Sequence, residues 1–80
     1  MLELRPTDGR KSFYGKAFVD VRENGDKVLY SYGTPIVRLT AKGKLEKIWY
    51  GYSATTMRHI NSFLDTFGVQ GGGKKWWESL

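Results

Sequence analysis

The chain has 80 residues, of which 40% are apolar and 15% aromatic, with a formal net charge of +5. That composition excludes a disordered chain, and a chain this short does not divide into two cores, since it buries only about 60% of its unfolded surface. The absence of cysteine excludes disulfides and thiolate metal sites as supports for the small core. No apolar run approaches the roughly 18 residues that span a membrane. The opening MLELRPTDGRK also lacks the continuous apolar stretch of a signal peptide. The expectation is a single-domain protein of the cytoplasm with no membrane association.

In chain order, residues 1–12 carry the turn formers Pro6, Asp8 and Gly9, and read as an N-terminal extension or an edge strand at Leu2 to Leu4. Residues 13–23 alternate as a strand, with Ala17, Val19 and Val21 on one side and Lys16, Phe18, Asp20 and Arg22 on the other. Asn24-Gly25 then suits a tight hairpin turn, so 27–32 is its antiparallel partner. Gly33-Thr34-Pro35 interrupts the pattern, because proline cannot donate to a ladder. This leaves open whether residues 27–40 form one bent strand or two. Lys42-Gly43 marks another reversal, and 45–50 is the last strand, ended or bent at Gly51.

A helix follows. Ser53 or Thr55 is its N-cap, Met57, Ile60, Leu64 and Phe67 with Phe63 form its apolar stripe, and Gly68 closes it. Gly71-Gly72-Gly73 makes residues 69–80 a glycine-rich linker with a tryptophan-containing tail. The pattern predicts an α+β fold in which an antiparallel β-meander of three to four strands packs against one C-terminal amphipathic helix. Residues 13–68 form that domain. One helix covers one face of such a sheet, and the other face is left to solvent, to the tail or to a partner.

Motifs for catalysis and for cofactors fail on context. GVQGGGKK (residues 68–75) approximates a phosphate-binding loop, but Lys75 stands where Ser or Thr would hold magnesium, and the stretch follows a helix, whereas such a loop follows a strand and opens a helix. Ser53, His59 and Asp65 have the residue types of a hydrolase triad, yet on a helix positions 59 and 65 lie about 240° apart around the axis. His59 is the only histidine, so a zinc site has too few ligands. The expectation is a protein with no cofactor that is not an enzyme.

Cations and aromatics are the constellation that survives. From residue 38 to 58, Arg38, Lys42, Lys44, Lys47 and Arg58 meet only Glu46, and such an excess attracts polyanions as well as aiding solubility. If Val19, Val21, Val37, Leu39 and Ile48 face the helix, alternation sends Lys16, Phe18, Arg38, Lys47 and Trp49 to the open face. Tyr30 and Tyr32 share a face, and Gly33 leaves which one undetermined. Aromatic faces among cations let bases stack while phosphates are neutralised. The same residues also pack sheets and anchor protein interfaces.

The stretches YSYGTPIV (residues 30–37) and WYGYSATTMRHINSFL (residues 49–64) resemble a family of small uncharacterised proteins encoded mainly by bacteriophages and related mobile elements. The resemblance covers about half the chain, leaving out the first dozen residues and the tail after Gly68. It implies a phage-type accessory protein and brings no activity with it. Within it, Ser53, Thr55 and Thr56 crowd the start of the helix, with Arg58 and His59 one turn on. Free N–H groups and the helix dipole there suit a phosphate or carboxylate. The expected function is nucleic-acid-associated binding, with single-stranded nucleic acid as partner. The alternatives are inhibition of a host protein such as a defence nuclease, or a homodimeric structural module.

Overall fold

A computed structural model describes all 80 residues. Five strands, β1 (Leu2–Glu3), β2 (Ala17–Val21), β3 (Lys27–Ser31), β4 (Thr34–Leu39) and β5 (Leu45–Lys47), form one antiparallel sheet whose spatial order follows the chain. Helix α1 (Ala54–Thr66) covers one face, and a short second helix, α2 (Lys74–Glu78), follows it. This is the expected meander with a C-terminal helix. The N-terminal residues supply the fifth strand, with Leu2 opposite Val19.

Turn chemistry builds the meander. The β2–β3 hairpin forms around Asn24-Gly25 but needs three loop residues: Arg22 and Asp26 remain paired, and only Gly25 takes positive φ, at 94°. The β4–β5 turn repeats that geometry, with Thr40 paired to Lys44 and Gly43 at φ 87°. The stretch 27–40 resolves into two strands joined by Tyr32-Gly33, with φ of 52° and 78°. Positive φ at both central residues defines the type I′ turn that matches strand twist. A bulge at Ile36 shifts the β3–β4 register, and its carbonyl accepts from both Ile48 and Trp49 N–H at 2.9 and 3.0 Å.

Helix α1 is capped as its sequence predicts. Ser53 Oγ accepts from Thr56 N–H at 3.0 Å. At the other end Gly68, at φ 74°, lets Val69 N–H reach Leu64 O at 2.8 Å and Gly68 N–H reach Asp65 O at 3.2 Å, closing the exposed carbonyls. Met57, Ile60, Phe63 and Leu64 enter the core beside Ala17, Val19, Leu29, Val37 and Leu39. Val21, expected on this face, is 48% exposed because two-residue β1 leaves it no neighbour on that edge. Ile48, also expected inward, lies beyond the end of β5 and is exposed.

The tail closes the core. Trp77 is fully buried, and its indole N–H donates to Gly51 O at 2.8 Å. The glycines before it permit close approach: Asn61 Nδ2 donates to Gly72 O at 2.9 Å, and a Cβ on Gly72 would lie 2.8 Å from that of Trp76. Leu4 and Phe13 complete the core from the N-terminal side.

Candidate functional site

The open face of the sheet carries less free charge than alternation predicts. Phe18 and Tyr30 lie opposite each other there, both half-buried. Arg38 faces Glu46 at 3.4 Å, and Arg22 holds Asp20 at 2.7 Å. Each of these cations has a carboxylate beside it. Lys47, expected on this face, is on the other one, since it pairs directly with Val37. Its ammonium lies 4.4 Å from the Trp77 ring centroid and donates to Trp77 O at 2.8 Å. Trp49 is likewise not free to stack, because its ring packs on the core and against Gly51. Tyr32 leaves the strand altogether.

Cation and aromatic side chains converge instead at the end of the sheet where α1 begins. Two Tyr-Gly turns stand side by side: Tyr14-Gly15, with φ of 52° and 71°, and Tyr32-Gly33. Phe13 O accepts from Lys16 N–H at 3.0 Å across the first turn, and Tyr32 N–H donates to Lys16 O at 2.7 Å, joining the two. A left-handed conformation costs a side-chain-bearing residue about 1–2 kcal/mol. Both rings project into solvent, 70% and 59% exposed, so burial does not offset that strain. Strain of this kind gathers at functional surfaces.

Between these turns and α1 lies a groove of about 330 Å³. Lys11, Lys16, Tyr14 and Tyr32 line one side, and Thr55, Arg58 and His59 line the other. Of the residues singled out in the sequence, the fold therefore brings Lys16, Tyr32, Thr55, Arg58 and His59 together. Ser53 and Thr56 sit behind them, and Phe18, Tyr30 and Arg38 stay on the open sheet face.

His59 is 1% exposed. Its ring meets Phe13 edge-on at 4.5 Å between centroids and Tyr32 at 5.8 Å, while its Nδ1 lies 2.7 Å from Ser31 Oγ. Burial, helped by the charge of Arg58, pushes its pKa below the usual 6.5, so the imidazole is neutral at pH 7. Behind it a line of hydroxyls runs through the interior. Ser53 Oγ donates to Thr56 Oγ1 at 2.9 Å, and Thr56 Oγ1 lies 3.5 Å from Ser31 Oγ. This accounts for Thr56, which capping alone does not.

Arg58 does structural work as well. It grips Asp8 with two contacts of 2.8 and 3.3 Å and stacks 4.9 Å from the Phe13 ring centroid, pinning the N-terminal loop to α1. Hydrogen bonding from Arg58 holds the Asp8 carboxyl well below its ordinary range, at about 2. Lys11 and Lys16 have no carboxylate within ion-pair distance. The Lys16 ammonium lies 5.9 Å from the Tyr32 ring centroid, and beyond the groove the same pairing recurs: Lys47 lies 5.3 Å from the Tyr50 ring and Lys74 lies 5.0 Å from the Tyr52 ring.

Across residues 2–79 the sequence matches a family of unknown function, DUF8033. The chain belongs to that family. No curated protein and no solved structure matches it. The DUF8033 match takes in the first dozen residues and the tail, which the resemblance carried by residues 30–37 and 49–64 had left out. Both segments help to build the core, through Leu4 and Trp77. Sequence reading of this DUF8033 chain missed Ser31, Phe13 and Tyr14. The repeated Tyr-Gly dipeptide at 14–15 and 32–33 was the available signal for the two turns.

Proposed function

We propose that this protein is a small, non-enzymatic, nucleic-acid-associated binding module that holds single strands across the end of the sheet where α1 begins. The observation that carries the reading is the set of exposed tyrosines: Tyr14, Tyr32, Tyr50 and Tyr52 all face solvent. Lys16 and Lys74 hold their ammonium groups 5.9 and 5.0 Å from the ring centroids of Tyr32 and Tyr52, while Lys47, already bonded to Trp77 O, lies 5.3 Å from that of Tyr50. Exposed rings offer bases a stacking surface worth about 1–3 kcal/mol per base, and adjacent ammonium groups meet the phosphates. On the open sheet face the arginines are matched by carboxylates, so the turn end is the stronger platform. The resemblance of residues 30–37 and 49–64 to mobile-element proteins supports a phage-type accessory role in the cytoplasm of a host cell.

Fluorescence anisotropy with a labelled oligothymidylate tests this. With three or four phosphates neutralised, log affinity should fall against log salt with a slope of about −2 to −3, so fourfold more salt weakens binding about 20- to 50-fold. Undetectable or salt-independent binding would refute it. Tyrosine-rich surfaces also serve as protein hot spots. A host protein that stays bound in nuclease-treated lysate, with no affinity for the oligonucleotide, would favour the inhibitor reading. A doubled mass by light scattering would favour the homodimer.

A further inference from the structure

The hydroxyl line behind His59 has a direction. Ser53 donates to Thr56, so Thr56 has its own proton left for Ser31, and Ser31 then has its proton left for His59 Nδ1. In that order every hydroxyl proton finds an acceptor. In the reverse order, with Nδ1–H donating to Ser31 and Ser31 to Thr56, Thr56 Oγ1 receives two protons and its own has nowhere to go. The favoured order makes Nδ1 an acceptor and places the imidazole proton on Nε2.

Nε2 has no partner within the protein, its ring being bonded only through Nδ1. No buried side-chain nitrogen or oxygen in the chain lacks a partner, so this atom must reach the solvent of the groove. The ring around it is 99% covered. In the tautomer that this order favours, a neutral N–H donor lies at the floor of a groove whose two ammonium groups without a carboxylate partner are Lys11 and Lys16. The Thr55 hydroxyl borders the same space, and the first N–H groups of α1 lie at that end.

We infer that the groove between the two Tyr-Gly turns is a phosphate site, with His59 Nε2–H donating to a phosphoryl oxygen. Lys11 and Lys16 balance the charge, and the rings of Tyr14 and Tyr32 receive the base attached to it. A carboxylate alone would leave the rings unused, whereas a phosphate carrying a base uses both. This rests on the binding function proposed above and names the group that the site recognises.

Because His59 is the only histidine, long-range ¹H–¹⁵N correlation on the labelled protein reports its tautomer without assignment ambiguity. The free protein should show a protonated Nε2 and a bare Nδ1. Titration with inorganic phosphate, then with oligothymidylate bearing or lacking a 5′-phosphate, should shift Nε2 saturably. The arms separate free phosphate, terminal phosphate and internal diester. His59→Asn keeps an amide near the Nδ1 position, facing Ser31, and removes the groove donor. It should weaken strand binding about tenfold, while His59→Gln, which reaches the Nε2 position, stays within about threefold. Ser31→Ala should mix the tautomers, a readout that survives if a His59 variant folds poorly. A bare Nε2 in the free protein, or no saturable shift with any arm, would overturn the site. His59→Asn binding strands as tightly as the unmodified protein would overturn the site but leave the wider function standing. Phosphate saturating Nε2 without any strand affinity would uphold the site and refute the wider function.

Discussion

Replacing Trp77 with alanine tests whether the tail belongs to the folded unit. The side chain is fully buried, its N–H is bonded to Gly51 O at 2.8 Å, and the Lys47 ammonium rests 4.4 Å from its ring centroid. Emptying a buried tryptophan site costs about 3–5 kcal/mol. The Gly51 carbonyl left without a partner adds to that, so about 4–6 kcal/mol is expected. At roughly 0.05–0.15 kcal/mol per residue, a domain of this size holds about 4–12 kcal/mol in all. Trp77→Ala should therefore remove a third of the stability at least, and lower Tm by about 20 °C or more. Trp77→Phe fills most of the volume but strands the Gly51 carbonyl, and should cost about 1–3 kcal/mol. Urea unfolding followed by far-UV circular dichroism gives both values. A loss below about 1 kcal/mol for Trp77→Ala would show that the tail is an appendage and that the core closes without it.

The exposed tyrosines should separate stability from binding. Asparagine enters the left-handed region readily, so Tyr14→Asn and Tyr32→Asn should each hold or raise stability by up to about 1 kcal/mol in urea unfolding. Each should weaken oligonucleotide binding about fivefold or more by anisotropy, and unchanged affinity would remove these rings from the binding surface. The shifted pKa values of Asp8 and His59 act at different pH. Asp8 titrates near 2 when folded, against 3.8 unperturbed, so its tie to Arg58 is complete above about pH 4 and is lost as pH falls toward 2. Amide exchange at Thr7 and Arg10, corrected for intrinsic rate, should quicken across that window, and Asp8→Asn should produce the same change at neutral pH. His59 is lowered below 6.5 by burial, so its neutral form contributes fully above that pH, and unfolding free energy should decline as pH drops beneath it. A flat profile there would mean that His59 is not buried in solution.

The helix was legible because its signals are local. Cap, stripe and closing glycine lie within sixteen residues of one another, and each obeys a rule of spacing. The Tyr32-Gly33 turn was hidden because tyrosine resists the left-handed conformation that the first turn position demands, so the dipeptide read as an interruption. Lys47 was misplaced for another reason. Alternation gives relative faces within a strand, and choosing the inward face by apolarity put Ile48 in and Lys47 out. What makes an inward lysine tolerable is Trp77, thirty residues away, which offers it both a carbonyl and a π face. The groove depends on Ser31 of β3 meeting Ser53, Thr56 and His59 at the capped start of α1, and no spacing rule spans the distance between the two elements.

The sheet order, which runs straight along the chain, bears on when the groove comes into being. Each hairpin closes between sequence neighbours, and contacts of that kind form early in folding. The hydroxyl line needs Ser31 at the end of β3 to find α1 across 25 to 28 residues, so it belongs on the native side of the folding barrier. Substitutions at Ser31, Ser53 or Thr56 are then expected to steepen escape from the native state while leaving refolding rates nearly unchanged. In stopped-flow terms the hydroxyl line behind the groove governs how long the molecule stays folded, and the hairpins govern how fast it gets there.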